Sequence, residues 1–200
     1  MKLDNQTADV EHYSMYEELA ILELSIWLGL SAWIANATPV VGGGGKPIDG
    51  GKIFRDGRRV LGDGKTIRGF IVGVFFGTLT GIGQFLAAPY LRPILAQFVT
   101  ISPEMDYVLS ISVPVTFLMS LGALTGDMIG SFIKRRVDVK SGDPSPVLDQ
   151  IGFIIMALIF AFPLMVPSPV FVIILILSTL GIHWLSNALS YILGLKKNPW

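Results

Sequence analysis

Residues 69–91 read GFIVGVFFGTLTGIGQFLAAPYL, and none of these positions carries a charged side chain. A helix of this length crosses a hydrocarbon core of about 30 Å. The run shows no period-2 alternation, which favours a helix over a barrel strand. Its glycines, Gly69, Gly73, Gly77, Gly81 and Gly83, suit close packing of helices in lipid. Over the 200 residues, hydrophobic side chains make up 52% and charged ones 15%, with mean hydropathy +0.62. A soluble chain needs roughly a quarter charged residues to cover its surface, so much of this surface faces lipid. The same figures exclude a disordered chain, and the absence of cysteine excludes a disulfide scaffold, a thiolate nucleophile and a Cys-based zinc site.

Four further apolar runs flank this one, at about 19–41, 107–127, 149–166 and 170–195. The segment before the first is acidic (Asp4, Asp9, Glu11, Glu17, Glu18), where a secretory signal carries positive charge, so a retained span is expected. Lysine and arginine set the orientation. Residues 42–68 hold Lys46, Lys52, Arg55, Arg58, Arg59, Lys65 and Arg68, residues 128–148 hold Lys134, Arg135, Arg136 and Lys140, and the tail adds Lys196 and Lys197. Only Lys2 and Arg92 fall on the other side. The expectation is an all-α polytopic membrane protein of five transmembrane helices, N-terminus out and C-terminus in. Residues 1–200 then form one membrane-embedded domain in the cell membrane, with two basic cytoplasmic loops at 42–68 and 128–148. No feature points to nucleic acid, and oligomeric state is not encoded in these patterns.

The first loop, GGGGKPIDGGKIFRDGRRVLGDGKTIRG (42–69), repeats Asp-Gly at a spacing of seven: Asp49-Gly50, Asp56-Gly57 and Asp63-Gly64. Asp-Gly is a turn signal, and glycine at this density excludes a stable helix. A looped segment exposing backbone N–H groups beside cations suits polyphosphate. The plainer alternative is a basic connector held to anionic head groups. Gly64-Lys65-Thr66 resembles the end of a Walker A motif, but Arg59 stands where its first glycine belongs and no buried strand precedes it.

The second loop segment, GDMIGSFIKRRVDVKSGDPSPVLDQ (126–150), carries more chemistry. If the third helix continues past the membrane surface, Asp127, Ser131, Lys134 and Asp138 share one face, with Arg135 adjacent. Gly142, Pro144 and Pro146 then turn the chain, and Asp149 stands at the mouth of the next span as Asp127 stands at the mouth of the third. Two carboxylates so placed can share a hard divalent cation, since Mg²⁺ takes one or two carboxylates and completes its shell with water and phosphates. Aspartates are also tolerated at such an interface for solvation alone.

Ser131-Phe-Ile-Lys134-Arg135, then Lys140 and Asp149, resembles the C-terminal signature of integral-membrane phosphatidate cytidylyltransferases. With Asn36, Pro39-Val40, Lys46 to Lys52, Arg55-Asp56-Gly57-Arg58, and Gly62 to Thr66 followed by Arg68-Gly69, the chain is similar to the archaeal branch, the CDP-archaeol synthases. His183, Asn187 and Lys196 to Trp200 resemble that family's ending. The chain departs from the bacterial and eukaryotic pattern at Lys140-Ser141, Pro144-Ser145-Pro146 and Asp149-Gln150, and it is shorter, as is the archaeal branch. The resemblance implies that CTP and 2,3-bis-O-geranylgeranylglycerol 1-phosphate, an ether-linked isoprenoid glycerol phosphate, give the CDP-activated lipid and pyrophosphate. It also implies dependence on Mg²⁺, with Asp127 and Asp149 as ligands.

The lipid phosphate is already an anion, so neutralisation and in-line positioning matter more than a general base. Lys134, Arg135, Lys140 and Ser131 are expected near phosphates, and Asp56, Lys65, Thr66 and Arg68 near nucleotide and pyrophosphate. Asn36 either braces the loop or touches substrate. His183, Asn187 and Tyr191 form a stripe on the last helix that serves interhelical hydrogen bonds or faces the reaction chamber.

Overall fold

The computed structural model describes residues 3–139 and 145–192, all helical apart from the connections. The helices are α1 (Leu3–Ala37), α2 (Pro39–Gly42), α3 (Ile67–Leu95), α4 (Pro103–Leu109), α5 (Val113–Arg136), α6 (Pro146–Ala161) and α7 (Pro169–Ile192). Among the described residues, three stretches are long and apolar enough to cross a membrane: Met15–Gly42, Ile67–Leu95 and Val113–Arg136. Two shorter apolar helices, Leu148–Ala161 and Pro169–Leu185, accompany them.

Prolines move the boundaries away from the apolar runs. The run expected at 107–127 is two helices, because Pro114 in the first turn of α5 would collide with the carbonyl of Ser110 in a continuous helix. At the other end α5 passes Asp127 and reaches Arg136, so the expected loop at 128–148 begins as helix. Its last turn is Lys134-Arg135-Arg136, which the negative C-terminal end of the helix dipole favours. α1 stops at Ala37 rather than Val41, since Pro39 starts α2. α3 begins on an N-cap, with Thr66 Oγ1 accepting from Gly69 N.

The core gathers on Leu28, Ala32 and Ala35 of α1, Met119 and Ala123 of α5, Phe153, Ile154 and Ala157 of α6, and Leu175 of α7. α3 buries only the stripe Gly69, Gly73, Gly77, Gly81, Gln84 and Ala88, while Ile71, Phe75, Leu79 and Leu86 face outward. Gly69, Gly73, Gly77 and Gly81 make the close packing that the sequence implies, whereas Gly83 borders open space and takes no part in it. A methyl on Gly73 would lie 2.6 Å from the Ala35 carbonyl oxygen and 2.7 Å from Leu124, and one on Gly81 would collide with Thr116. α5 carries a second small-residue row. Gly126 approaches the Gly152 carbonyl oxygen so closely that a methyl would sit 2.7 Å away, and Gly122 meets the backbone of α6 at Met156 and Ala157. α5 and α6 therefore lie antiparallel with their main chains in contact, which brings Asp127 and Asp149 to one end of the bundle.

Candidate functional site

The 43–66 segment is folded, in two nested turns. An outer bridge pairs Pro47 with Thr66, fastened by Ile48 N to Lys65 O (2.8 Å) and Ile67 N to Lys46 O (3.1 Å). An inner bridge pairs Ile53 with Arg59, fastened by Phe54 N to Arg58 O (2.7 Å) and Val60 N to Lys52 O (3.1 Å). Gly57, at φ 79°, makes the tight inner turn that a side-chain-bearing residue resists.

Asp49 is the centre of this fold. Its side chain is 1% exposed, and it accepts from Gly51 N (3.0 Å), Leu61 N (2.9 Å), Gly62 N (3.2 Å) and Arg59 Nη2 (2.9 Å). Burial alone would push the carboxyl up, but the Arg59 guanidinium and the three amides outweigh it and hold the group well below the usual carboxylate range. The loop's backbone N–H groups were expected to suit polyphosphate, but those of Gly51, Leu61 and Gly62 are filled by the chain's own carboxylate. The other two Asp-Gly aspartates also have internal partners. Asp63 pairs with Arg59 at 2.8 Å, while Asp56 accepts from Arg58 N and pairs with Arg136 Nε at 3.1 Å.

Successive residues of an extended segment point to opposite sides. Arg59 accordingly turns inward to Asp49, and Arg58 outward to the end of α5. There Arg58 Nη1 donates to Arg136 O (2.5 Å), and its Nη2 pairs with Asp138 at 3.4 Å. Asp138 was expected on one helix face with Asp127, Ser131 and Lys134. The helix instead ends at Arg136, and Asp138 takes φ 64° beyond it, so it leaves that face.

Two carboxylate–ammonium pairs define the site. Lys65 Nζ lies 2.5 Å from Asp127 Oδ2, joining the loop to α5. Lys134 Nζ lies 2.7 Å from Asp149 Oδ1, joining α5 to α6. Asp149 Oδ2 also accepts from Ser145 N at 2.9 Å, closing the first turn of α6. Both acids retain access to solvent, with side chains 28% and 37% exposed. Ser131, one turn beyond Asp127, is buried, as is Arg135.

Lys65 with Asp127, and Lys134 with Asp149, therefore form two separate pairs toward the joined ends of α5 and α6. Thr66 is occupied as the cap of α3, and Arg68 is exposed in that helix's first turn with no ion pair among the described residues. Asn36 is half-buried near the end of α1. The His183 ring packs beside Phe153 of α6 at 5.6 Å, and Tyr191 is exposed. Lys140, the turn residues Gly142 and Pro144, and the tail from Lys196 to Trp200 lie outside the described residues.

Several residues that build this end carry no role in the sequence reading: Asp49, Arg58, Arg59, Phe54, Phe132 and Arg136. One signal for them was present, since Phe132 and Arg136 stand four apart and so share a helix face. The donor chemistry fits Mg²⁺. Among the described residues no three Asp, Glu or His converge, but this ion needs only one or two carboxylates. Each of these two carboxylates already attracts a cation to itself.

The family profile for CarS-like CDP-archaeol synthase matches residues 18–200. A CDP-archaeol synthase of Thermococcus kodakarensis is 47% identical over 176 residues, 88% of this chain and 95% of the relative. One of Methanocaldococcus jannaschii is 42% identical over 181 residues, 90% of this chain and 98% of the relative. A solved structure, described as an intramembrane enzyme for archaeal membrane lipids biosynthesis, matches with TM-score 0.65 at 39% identity, over 81% of this chain and 91% of that one. Fold and site define an intramembrane protein with a charged, loop-covered site at one end of a helical bundle. The chain belongs to the CDP-archaeol synthase family.

Proposed function

We propose that the chain is a nucleotidyltransferase that joins CTP to 2,3-bis-O-geranylgeranylglycerol 1-phosphate, releasing pyrophosphate and unsaturated CDP-archaeol. The observation that carries this reading is the pair of carboxylate–lysine contacts, Lys65–Asp127 and Lys134–Asp149, at the joined ends of α5 and α6. A lipid phosphate oxygen attacks the α-phosphorus of CTP, and the α–β anhydride bond breaks. The two reactants are both anions, so the site must gather positive charge and align them.

Asp127 and Asp149 would hold Mg²⁺, which when bound neutralises phosphate charge and orients the triphosphate. Lys65 and Lys134, paired with these carboxylates, would turn from carboxylate to phosphate when nucleotide arrives. Arg68, exposed and without an ion pair among the described residues, faces the same end and takes pyrophosphate charge. Ser131, Arg135 and Lys140 extend the phosphate-binding face, Asp56 and Thr66 hold the loop beside it, and Asn36 braces the loop from α1. Residues 1–200 act as one unit of five spans, with α6 and α7 completing the three long ones. The basic loops face the cytoplasm, as the lysine and arginine bias favours.

Purified protein incubated with Mg²⁺, the ether lipid phosphate and CTP radiolabelled at the α-phosphate is expected to yield labelled CDP-lipid. Phosphatidic acid in its place is expected to yield far less. Binding of CTP or lipid without product would instead establish a non-catalytic membrane protein that holds anions through its basic loops.

A further inference from the structure

We propose that Arg136 is a positioning residue that, together with Arg58, clasps the 43–66 loop to the end of α5 and thereby sets where Lys65 meets Asp127. The activity part of the test rests on the CTP reading above; the clasp itself does not.

The Arg136 guanidinium carbon lies over a pair of rings, 4.6 Å from the centroid of Phe54 on the loop and 4.7 Å from that of Phe132 on α5. The rings meet edge to face at 5.4 Å. The same guanidinium pairs with Asp56 and donates from Nη2 to Arg59 O at 2.5 Å. Arg58 makes the return contact, from the loop to the carbonyl of Arg136. Each arginine thus grips the other's backbone segment, and the Arg136 side chain is only 19% exposed. Touching both rings while pairing with a carboxylate and donating to a carbonyl requires a broad, delocalised cation with several N–H groups, which an ammonium is not.

A continuous set of contacts leads from the clasp to the site. Arg136 holds the Arg59 carbonyl, the Arg59 side chain holds Asp49, Asp49 holds Gly62 N, and the Gly62 carbonyl accepts from Lys65 N at 3.3 Å. The loop has a second, separate anchor in the Lys65–Asp127 pair itself. Releasing the clasp therefore leaves the helical bundle intact and lowers the fraction of molecules whose loop is docked. A ligand that needs the docked loop then loses apparent affinity in proportion to that fraction, with the chemical step unchanged.

The test uses Arg136→Lys in the full-length protein, with Phe54→Leu as a second variant on the loop. Phe54 is exposed and outside the buried core, so its replacement leaves the bundle core untouched. Hydrogen exchange across residues 43–66 without substrate is expected to accelerate in both variants, with the thermal unfolding midpoint unchanged. The KM for CTP is expected to rise about tenfold while kcat holds, the size set by losing desolvated cation–π contact. Normal loop exchange in Arg136→Lys overturns the clasp. Faster exchange with unchanged KM, or a fall in kcat alone, overturns its link to Lys65. Wild-type protein that makes no CDP-lipid defeats the enzymatic reading and leaves the exchange result to decide the clasp.

Discussion

Lys65 and Asp127 stand 62 positions apart in the chain and meet at 2.5 Å, where the basic loop touches α5. The contact joins the two segments that carry most of the chain's lysines and arginines, and Lys134–Asp149 repeats it between α5 and α6. Each acid rests with one cation, so these two pairs are neutral without substrate. In the proposed reaction, the arriving triphosphate would draw the lysines away from the carboxylates.

Replacing Lys65 by Ala is expected to lower kcat/KM for CTP by about ten- to a hundredfold, the scale of one charge-assisted contact. Steady-state kinetics on detergent-solubilised protein measure it. Unchanged kcat/KM would remove Lys65 from the site.

Asp127→Asn and Asp149→Asn are each expected to reduce Mg²⁺-dependent turnover by about a hundredfold or more, because transition-state charge loses its fixed counterpart. The two should differ in one respect. Asp149 also closes onto Ser145 N, so only its replacement should speed hydrogen exchange at the start of α6. Near wild-type turnover in either variant would dismiss that carboxylate as an essential ligand.

The backbone contact between α5 and α6 gives a packing prediction. Gly126→Val places branched carbon against the Gly152 carbonyl and Met156, and overpacking of this kind costs about 1–3 kcal/mol. Its thermal midpoint should fall clearly. Gly83→Ala, whose methyl would meet open space, should leave the midpoint unchanged or slightly raised.

Asp49 makes the loop's order depend on pH with a definite sign. Its folded carboxyl titrates below its unfolded value, so its contribution is complete above the ordinary carboxylate range and is lost progressively as pH falls beneath it. The amides of Leu61 and Gly62 should stay protected from exchange at neutral pH and down to about pH 5, then lose protection in stronger acid. Asp49→Asn should weaken that protection about tenfold or more at every pH, since a buried amide cannot replace the carboxylate's acceptors for Arg59 and both amides. Protection equal to wild type would mean that Asp49 does not organise the loop.

The helices were legible because hydrophobic runs and glycine spacing are local properties. Their ends were less so. Apolarity continues through Tyr107 to Leu118, and only the steric demand of Pro114 divides that run. Asp127, Asp149, Lys134 and Lys65 stood out in the sequence, since charged residues at the mouth of an apolar run are unusual and the motifs around them are distinctive. Their pairing was not, because Lys65–Asp127 depends on how a glycine-rich loop folds back. That loop looked like an open cradle of N–H groups because the heptad of Asp-Gly pairs does not reveal that Asp49 fills it. Arg58 and Arg59 are neighbours of like charge, and only the extended inner bridge sends them in opposite directions.

Where α5 runs beside α6, no long side chain stands between Gly126 and the opposing carbonyl. The distance between the two helices is then fixed by main-chain atoms, which have no rotamers to exchange. The acids mounted on them behave like the jaws of a calliper set to one gauge, and changes in bilayer fluidity with temperature have little purchase on that gap.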